Sequence, residues 1–126
     1  EPPMKHILIV DDSPVIRKVA RRILESLRFE IAEAESARQG LDACAETMPD
    51  AIFVDGKMAE MDGAQFARAV RAMPGGDTPR VVLVMTEVDV AQTARARHYG
   101  ADDILLKPFA REIMTAKIDE LGVMAA

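Results

Sequence analysis

The chain has 126 residues, 49% hydrophobic and 29% charged, which suits one compact domain around a single core and is too short for two. Sixteen Lys plus Arg against twenty-one Asp plus Glu leave a formal charge of −5, which argues against a DNA-binding or membrane-surface protein. The single cysteine, Cys44, cannot close an internal disulfide, and no apolar run approaches the roughly 18 residues of a membrane span, so a cytoplasmic location is expected.

In chain order, residues 1–3 ("EPP") are set aside as an arm or a remnant of expression and 122–126 as a tail, leaving 4–121 as the domain. The run "ILIV" (7–10) is apolar throughout and partly β-branched, as in a strand covered on both faces, and it ends on Asp11 and Asp12. Ser13-Pro14 then starts a helix in which Ile16, Val19, Ala20, Ile23, Leu24 and Leu27 form an apolar stripe. Arg17, Lys18, Arg21 and Arg22 give that helix a basic outer face, read either as a partner-facing surface or as a solvated one. "FEIAEA" (29–34) alternates as a strand near a sheet edge does, and Ser36 caps a second helix with Leu41, Cys44, Ala45 and Met48 on its inner side. After the stop at Pro49-Asp50, "AIFV" (51–54) runs directly into Asp55. A third helix carries Phe66, Ala69, Val70 and Met73 and breaks at "PGGDTP" (74–79). "VVLVM" (81–85) stops at Thr86. Ala91, Ala94 and His98 mark a fourth helix, "ILL" (104–106) stops at Lys107, and Ala110, Ile113, Met114, Ile118 and Leu121 mark a fifth.

Strict alternation of buried strands with helices implies a parallel sheet covered on both faces, because each parallel connection needs a crossover. There is no linker, repeat or low-complexity segment, and a last helix ending near Leu121 predicts a single-domain protein without an output domain.

In open parallel α/β sheets ligands bind outside the carboxyl ends of the strands, where the winding reverses. Those ends carry Asp11 and Asp12, Asp55, Thr86 and Lys107. Taken singly, each has an ordinary explanation: a loop acid, a residue supporting a helix start, a surface lysine. Taken together they are three carboxylates, a hydroxyl and an ammonium on one edge. Clustered carboxylates repel unless a cation sits among them, and oxygen donors without His or Cys favour Mg²⁺. Lys107 and Thr86 are then placed to neutralise and hydrogen-bond further oxygens, as phosphoryl transfer to a carboxylate requires.

The stretches "ILIVDDS", "FVDGKMAEMDG", "VVLVMTE" and "GADDILLKPF", in this order and spacing, resemble a response-regulator receiver domain of two-component signalling over residues 4 to about 121. The resemblance implies a flavodoxin-like (βα)5 fold with strand order 2-1-3-4-5. It also implies that Asp55 is the phosphoacceptor, that Asp12, Asp11 and the backbone carbonyl of Lys57 bind Mg²⁺ with Asp55, and that Thr86 and Lys107 contact the phosphoryl group. A cis Lys107-Pro108 peptide is expected. The implied donor is a histidine kinase or phosphotransfer protein, and the output is an unknown downstream protein met through the helix four, strand five, helix five face.

Four positions, Ile104, Glu87, Lys57 and Ala59, depart from the family pattern. Ile104 stands where many receivers carry a switching aromatic residue, so output must be read another way. Glu87 replaces a small residue after Thr86, and an ion pair between it and Lys57 across the mouth of the site is expected. Ala59 replaces a proline, which loosens the loop after Asp55 slightly. Arg95, Arg97, His98 and Arg111 offer cationic groups on the output side. The alternative reading is a pseudo-receiver that binds proteins without being phosphorylated. A flavin carrier is disfavoured by the absence of Trp and of a phosphate-cradling loop, and an aspartyl phosphatase by Lys57, where a second acid is needed.

Overall fold

The computed structural model describes residues 5–123; the expected arm (1–3) and residues 124–126 of the expected tail lie outside the described residues. The elements alternate without exception: β1 His6–Val10, α1 Pro14–Ser26, β2 Glu30–Ala34, α2 Ala37–Glu46, β3 Ala51–Asp55, α3 Gly63–Arg71, β4 Arg80–Met85, α4 Val90–His98, β5 Asp103–Leu106 and α5 Arg111–Leu121. All strand pairs are parallel and the sheet order is β2-β1-β3-β4-β5, so the sheet reverses its winding between β1 and β3. The flavodoxin-like expectation holds.

Successive strand residues point to opposite faces, and the core divides accordingly. Leu8, Val10, Ile52, Val54, Val81 and Leu83 pack under α2, α3 and α4, with Phe66 and Val70. Ile7, Ile9, Phe53, Val82, Val84 and Leu105 pack under α1 and α5, with Leu24, Met114 and Ile118. Side chains start four of the helices: Ser13 Oγ accepts from Ile16 N, Ser36 Oγ from Gln39 N, Asp62 forms a capping box with Gln65, and Asp89 Oδ1 accepts from Gln92 N.

Several inward assignments need correction. Val19 is 42% exposed and Ile113 53% exposed, at the margins of their helices' apolar stripes. Ala45 is exposed too. In α4 the whole face is different: Ala91, Ala94 and His98 are exposed, whereas Ala96 is buried and Gln92, Thr93 and Tyr99 are half-buried. This helix covers the end of the sheet beside the β3–α3 loop, so its inner face meets polar backbone as well as side chains.

Phe66 is fully buried, and a Cβ at Gly40 of α2 would lie 2.9 Å from both Phe66 Cε1 and Val10 Cγ2. Phe66→Ala is expected to lower unfolding free energy by about 3–5 kcal/mol. Gly40→Ala is expected to destabilise the wild-type core through overpacking, but to stabilise relative to Phe66→Ala alone, where the new methyl enters a void and helix propensity improves. Urea unfolding of the four proteins measures this; an equal penalty in both backgrounds would show that Gly40 and Phe66 do not share a packing limit.

Candidate functional site

The carboxyl ends of β1, β3, β4 and β5 bring the acids and the lysine together. Asp11, one residue past β1, is only 1% exposed. Its backbone N–H donates to Ala34 O at 3.1 Å, its Oδ1 accepts from Ser13 N at 2.9 Å, and its Oδ2 accepts from Lys107 Nζ at 3.1 Å. Arg17 fixes the same residue from α1, donating through Nη1 to the Asp11 carbonyl at 2.6 Å.

Asp55 closes β3 opposite Val84 of β4 and is 9% exposed. Its Oδ1 accepts from Lys57 N at 3.3 Å and lies 3.7 Å from Lys107 Nζ. Burial raises the Asp55 pKa above its ordinary value, and the negative charges of Asp11 and Asp12 push the same way, against the opposing pull of the Lys57 amide and the Lys107 ammonium. Asp12 is exposed at the rim, yet it, Asp11 and Asp55 each offer a carboxylate oxygen within 4.8 Å of the others. Oxygen donors at that spacing, with negative charge in excess of the one ammonium touching them, fit a hard divalent cation.

Lys107 reaches this cluster because its backbone N–H continues the pairing of β5 with β4, donating to Met85 O at 2.9 Å. The Lys107-Pro108 peptide is cis, as expected. Beyond Asp55 opens a cleft of about 580 Å³ lined by Gly56, Lys57, Thr86, Glu87, Gln92 and Lys107 among others. Thr86 is thus on the cleft wall, but among the described residues its hydroxyl makes no hydrogen bond to the acids.

The Glu87–Lys57 ion pair is not formed: among the described residues no contact within 4.0 Å joins them. Both side chains are exposed, where hydration competes well with a screened attraction. The basic outer face of α1 is also smaller than expected. Arg17 Nε and Arg21 Nε both bind Glu33 of β2, at 3.1 and 2.5 Å, and Arg21 further binds Glu25 at 3.0 Å. The Arg21 hydrogen bond, joined by Arg17, holds the Glu33 carboxyl below its usual range. Lys18 and Arg22 are left as the outward cations.

Of the arginines expected to face output, Arg95 pairs with Asp62 at 2.6 Å, Arg97 with Asp103 at 3.4 Å, and Arg111 donates to the Ser26 hydroxyl. These arginines already have partners within the chain. Sequence reasoning missed Gln92 altogether; its Nε2 donates to the carbonyl of Gly56, next to Asp55, at 2.8 Å. The available signal was Gly56 itself, a residue without a side chain at a position that another side chain then fills.

A doubly wound sheet with an acid cluster and a lysine gathered at its switch point defines a class of α/β signalling domain. Its closest expression in sequence is not a short motif but nearly the whole chain. The protein belongs to the response regulator receiver domain family, whose sequence profile matches residues 7–119. It is therefore the receiver domain of a two-component response regulator. Response regulator MprA of Mycolicibacterium vanbaalenii is 37% identical over 116 residues, covering 91% of this chain and 49% of that protein. The chain thus spans about half the length of the curated relatives it matches.

Among solved structures, chemotaxis protein CheY4 of Vibrio cholerae superposes with a TM-score of 0.90 at 27% identity, covering 94% of this chain and 99% of that one. The receiver domain of sensor histidine kinase PA1611 from Pseudomonas aeruginosa PAO1 superposes with a TM-score of 0.82 at 25% identity, covering 95% and 99%; its structure has a magnesium ion coordinated in the active-site cleft. No helix among the described residues is long and apolar enough to cross a membrane.

Proposed function

We propose that this receiver is a cytoplasmic, Mg²⁺-dependent phosphorylation switch in which Asp55 accepts a phosphoryl group from a histidine kinase or phosphotransfer protein. The observation that carries the reading is the placement of Asp55: a partly desolvated carboxylate beside two further acids and 3.7 Å from Lys107 Nζ. One Asp55 oxygen forms a bond to phosphorus while the donor's P–N bond breaks, and the bonding pair stays on the imidazole nitrogen. Asp11, Asp12, Asp55 and the Lys57 backbone carbonyl would hold Mg²⁺, which would supply charge neutralisation there. Lys107 neutralises a further phosphoryl oxygen and Thr86 turns its hydroxyl from the cleft wall to donate to another. The acyl phosphate shifts a pre-existing equilibrium of α4, β5 and α5, and a downstream protein reads that face. The chain catalyses this transfer to itself and the later hydrolysis, not the turnover of a separate substrate.

The test is intact mass. Incubation with Mg²⁺ and acetyl phosphate is expected to add one phosphoryl mass, and chelation by EDTA to prevent it. A wild-type protein that stays unmodified in Mg²⁺ overturns the phosphoacceptor reading in favour of phosphorylation-independent protein binding.

A further inference from the structure

We propose that Gln92 of α4 is a positioning residue for phosphoryl transfer, acting on Asp55 through the Gly56–Lys57 peptide; the proposal rests on the reading of Asp55 as the acceptor. Both ends of that one peptide unit are engaged. Its carbonyl, Gly56 O, accepts from Gln92 Nε2 at 2.8 Å, and its amide, Lys57 N–H, donates to Asp55 Oδ1 at 3.3 Å. A peptide unit is planar, so a hydrogen bond that orients the carbonyl also aims the amide. The same bond polarises the unit and strengthens its donor. An amide bonded to one carboxylate oxygen holds the carboxylate in a fixed orientation for in-line attack by the other, and such positioning speeds transfer.

The surroundings are arranged for this contact. Gly56 is anchored to the sheet by its own N–H, which donates to Val84 O at 2.8 Å, and its carbonyl also accepts from Gly63 N of α3 at 3.1 Å. A Cβ at Gly56 would lie 2.9 Å from Gln92 Nε2, so the glutamine amide occupies space that any side chain at 56 would contest. Gln92 is itself held in the first turn of α4, its N–H bonded to the Asp89 cap at 3.0 Å, and the next residue, Thr93, directs its hydroxyl at Met85 Sδ, 3.9 Å away and adjacent to Thr86. The first turn of α4 therefore touches the residue after the acceptor and the residue before the threonine. Movement of α4 reaches Asp55 by this route without an aromatic residue at position 104.

Gln92→Ala and the near-isosteric Gln92→Met remove the donor, while the Arg95–Asp62 pair still docks α4. Two readouts are compared with wild type: the backbone amide resonance of Lys57 in the unphosphorylated protein, and the rate of acetyl phosphate labelling. Both variants are expected to shift the Lys57 signal and to slow labelling roughly three- to tenfold, the effect of losing one orienting hydrogen bond. Arg95→Ala loosens α4 by another route and is expected to leave the Lys57 signal in place. A wild-type Lys57 signal in Gln92→Met, an unchanged labelling rate in both Gln92 variants, or an equal Lys57 shift in Arg95→Ala overturns the proposal. A wild type that takes no label removes the acceptor reading instead, and the Lys57 signal still decides the hydrogen bond.

Discussion

Asp55→Asn is expected to cut phosphoryl labelling to below about 1% of wild type while making the folded protein more stable at neutral pH. An amide presents no anionic oxygen, so the acyl phosphate cannot form, yet the side chain keeps its shape and the packing at the end of β3 is preserved. The stability gain follows from linkage. Burial and the neighbouring acids hold the Asp55 pKa above its ordinary value of 3.8 in the folded chain. The folded state therefore binds this proton more tightly than the unfolded state. Between the unfolded and the raised folded value the native protein holds the extra proton, so stability falls as pH rises through that window and stays reduced above it. Removing the ionisable group removes the fall. Urea midpoints of both proteins in EDTA should coincide near the bottom of the window and separate as pH rises, with the variant higher. A variant that still labels, or whose advantage grows toward acid pH, contradicts the placement of Asp55 at once in chemistry and in charge.

The same residues show how far the sequence could be read. The acids were legible because an apolar strand has to stop somewhere, and "ILIV" and "AIFV" stop on carboxylates; parallel order then puts all such stops on one edge. The α4 face was not legible, because hydrophobic periodicity identifies an inner face only when that face is apolar. Here it carries Gln92, Thr93, Ala96 and Tyr99, and the glutamine's partner is a backbone carbonyl 36 residues away that no side-chain pattern announces. Arg17 failed for a related reason. A long side chain can leave an outer helix position along its aliphatic stem and deliver its guanidinium inward, as this one does to Asp11 O and Glu33. The Glu87–Lys57 pair was inferred from opposite charge across a cleft, but proximity at the mouth of a solvated site does not offset the hydration and rotamer freedom that two exposed side chains would lose.

Lys107→Met is expected to destabilise the metal-free protein by about 3 kcal/mol and to slow labelling roughly 100-fold, with Mg²⁺ restoring much of the stability and little of the rate. The lysine side chain is 13% exposed and spans Asp11 at 3.1 Å and Asp55 at 3.7 Å, so solvent does little to screen it and its removal leaves two buried carboxylates facing one another. Methionine nearly matches the length of the stem, which separates loss of charge from loss of packing. On the proposed reading, the ammonium and a divalent cation would draw on the same oxygens in wild type. Without the lysine those oxygens bind the cation more tightly, and the added stability scales with the logarithm of metal concentration over its dissociation constant. Urea midpoints across a Mg²⁺ titration should therefore rise more steeply for the variant than for wild type. The rate behaves differently because the cation can replace the charge lost between the acids but not the donor aimed at the transferring group. A variant whose metal-free stability equals wild type would show that Asp11 and Asp55 do not depend on Lys107, and one whose labelling recovers fully in Mg²⁺ would confine the lysine to holding the acids apart.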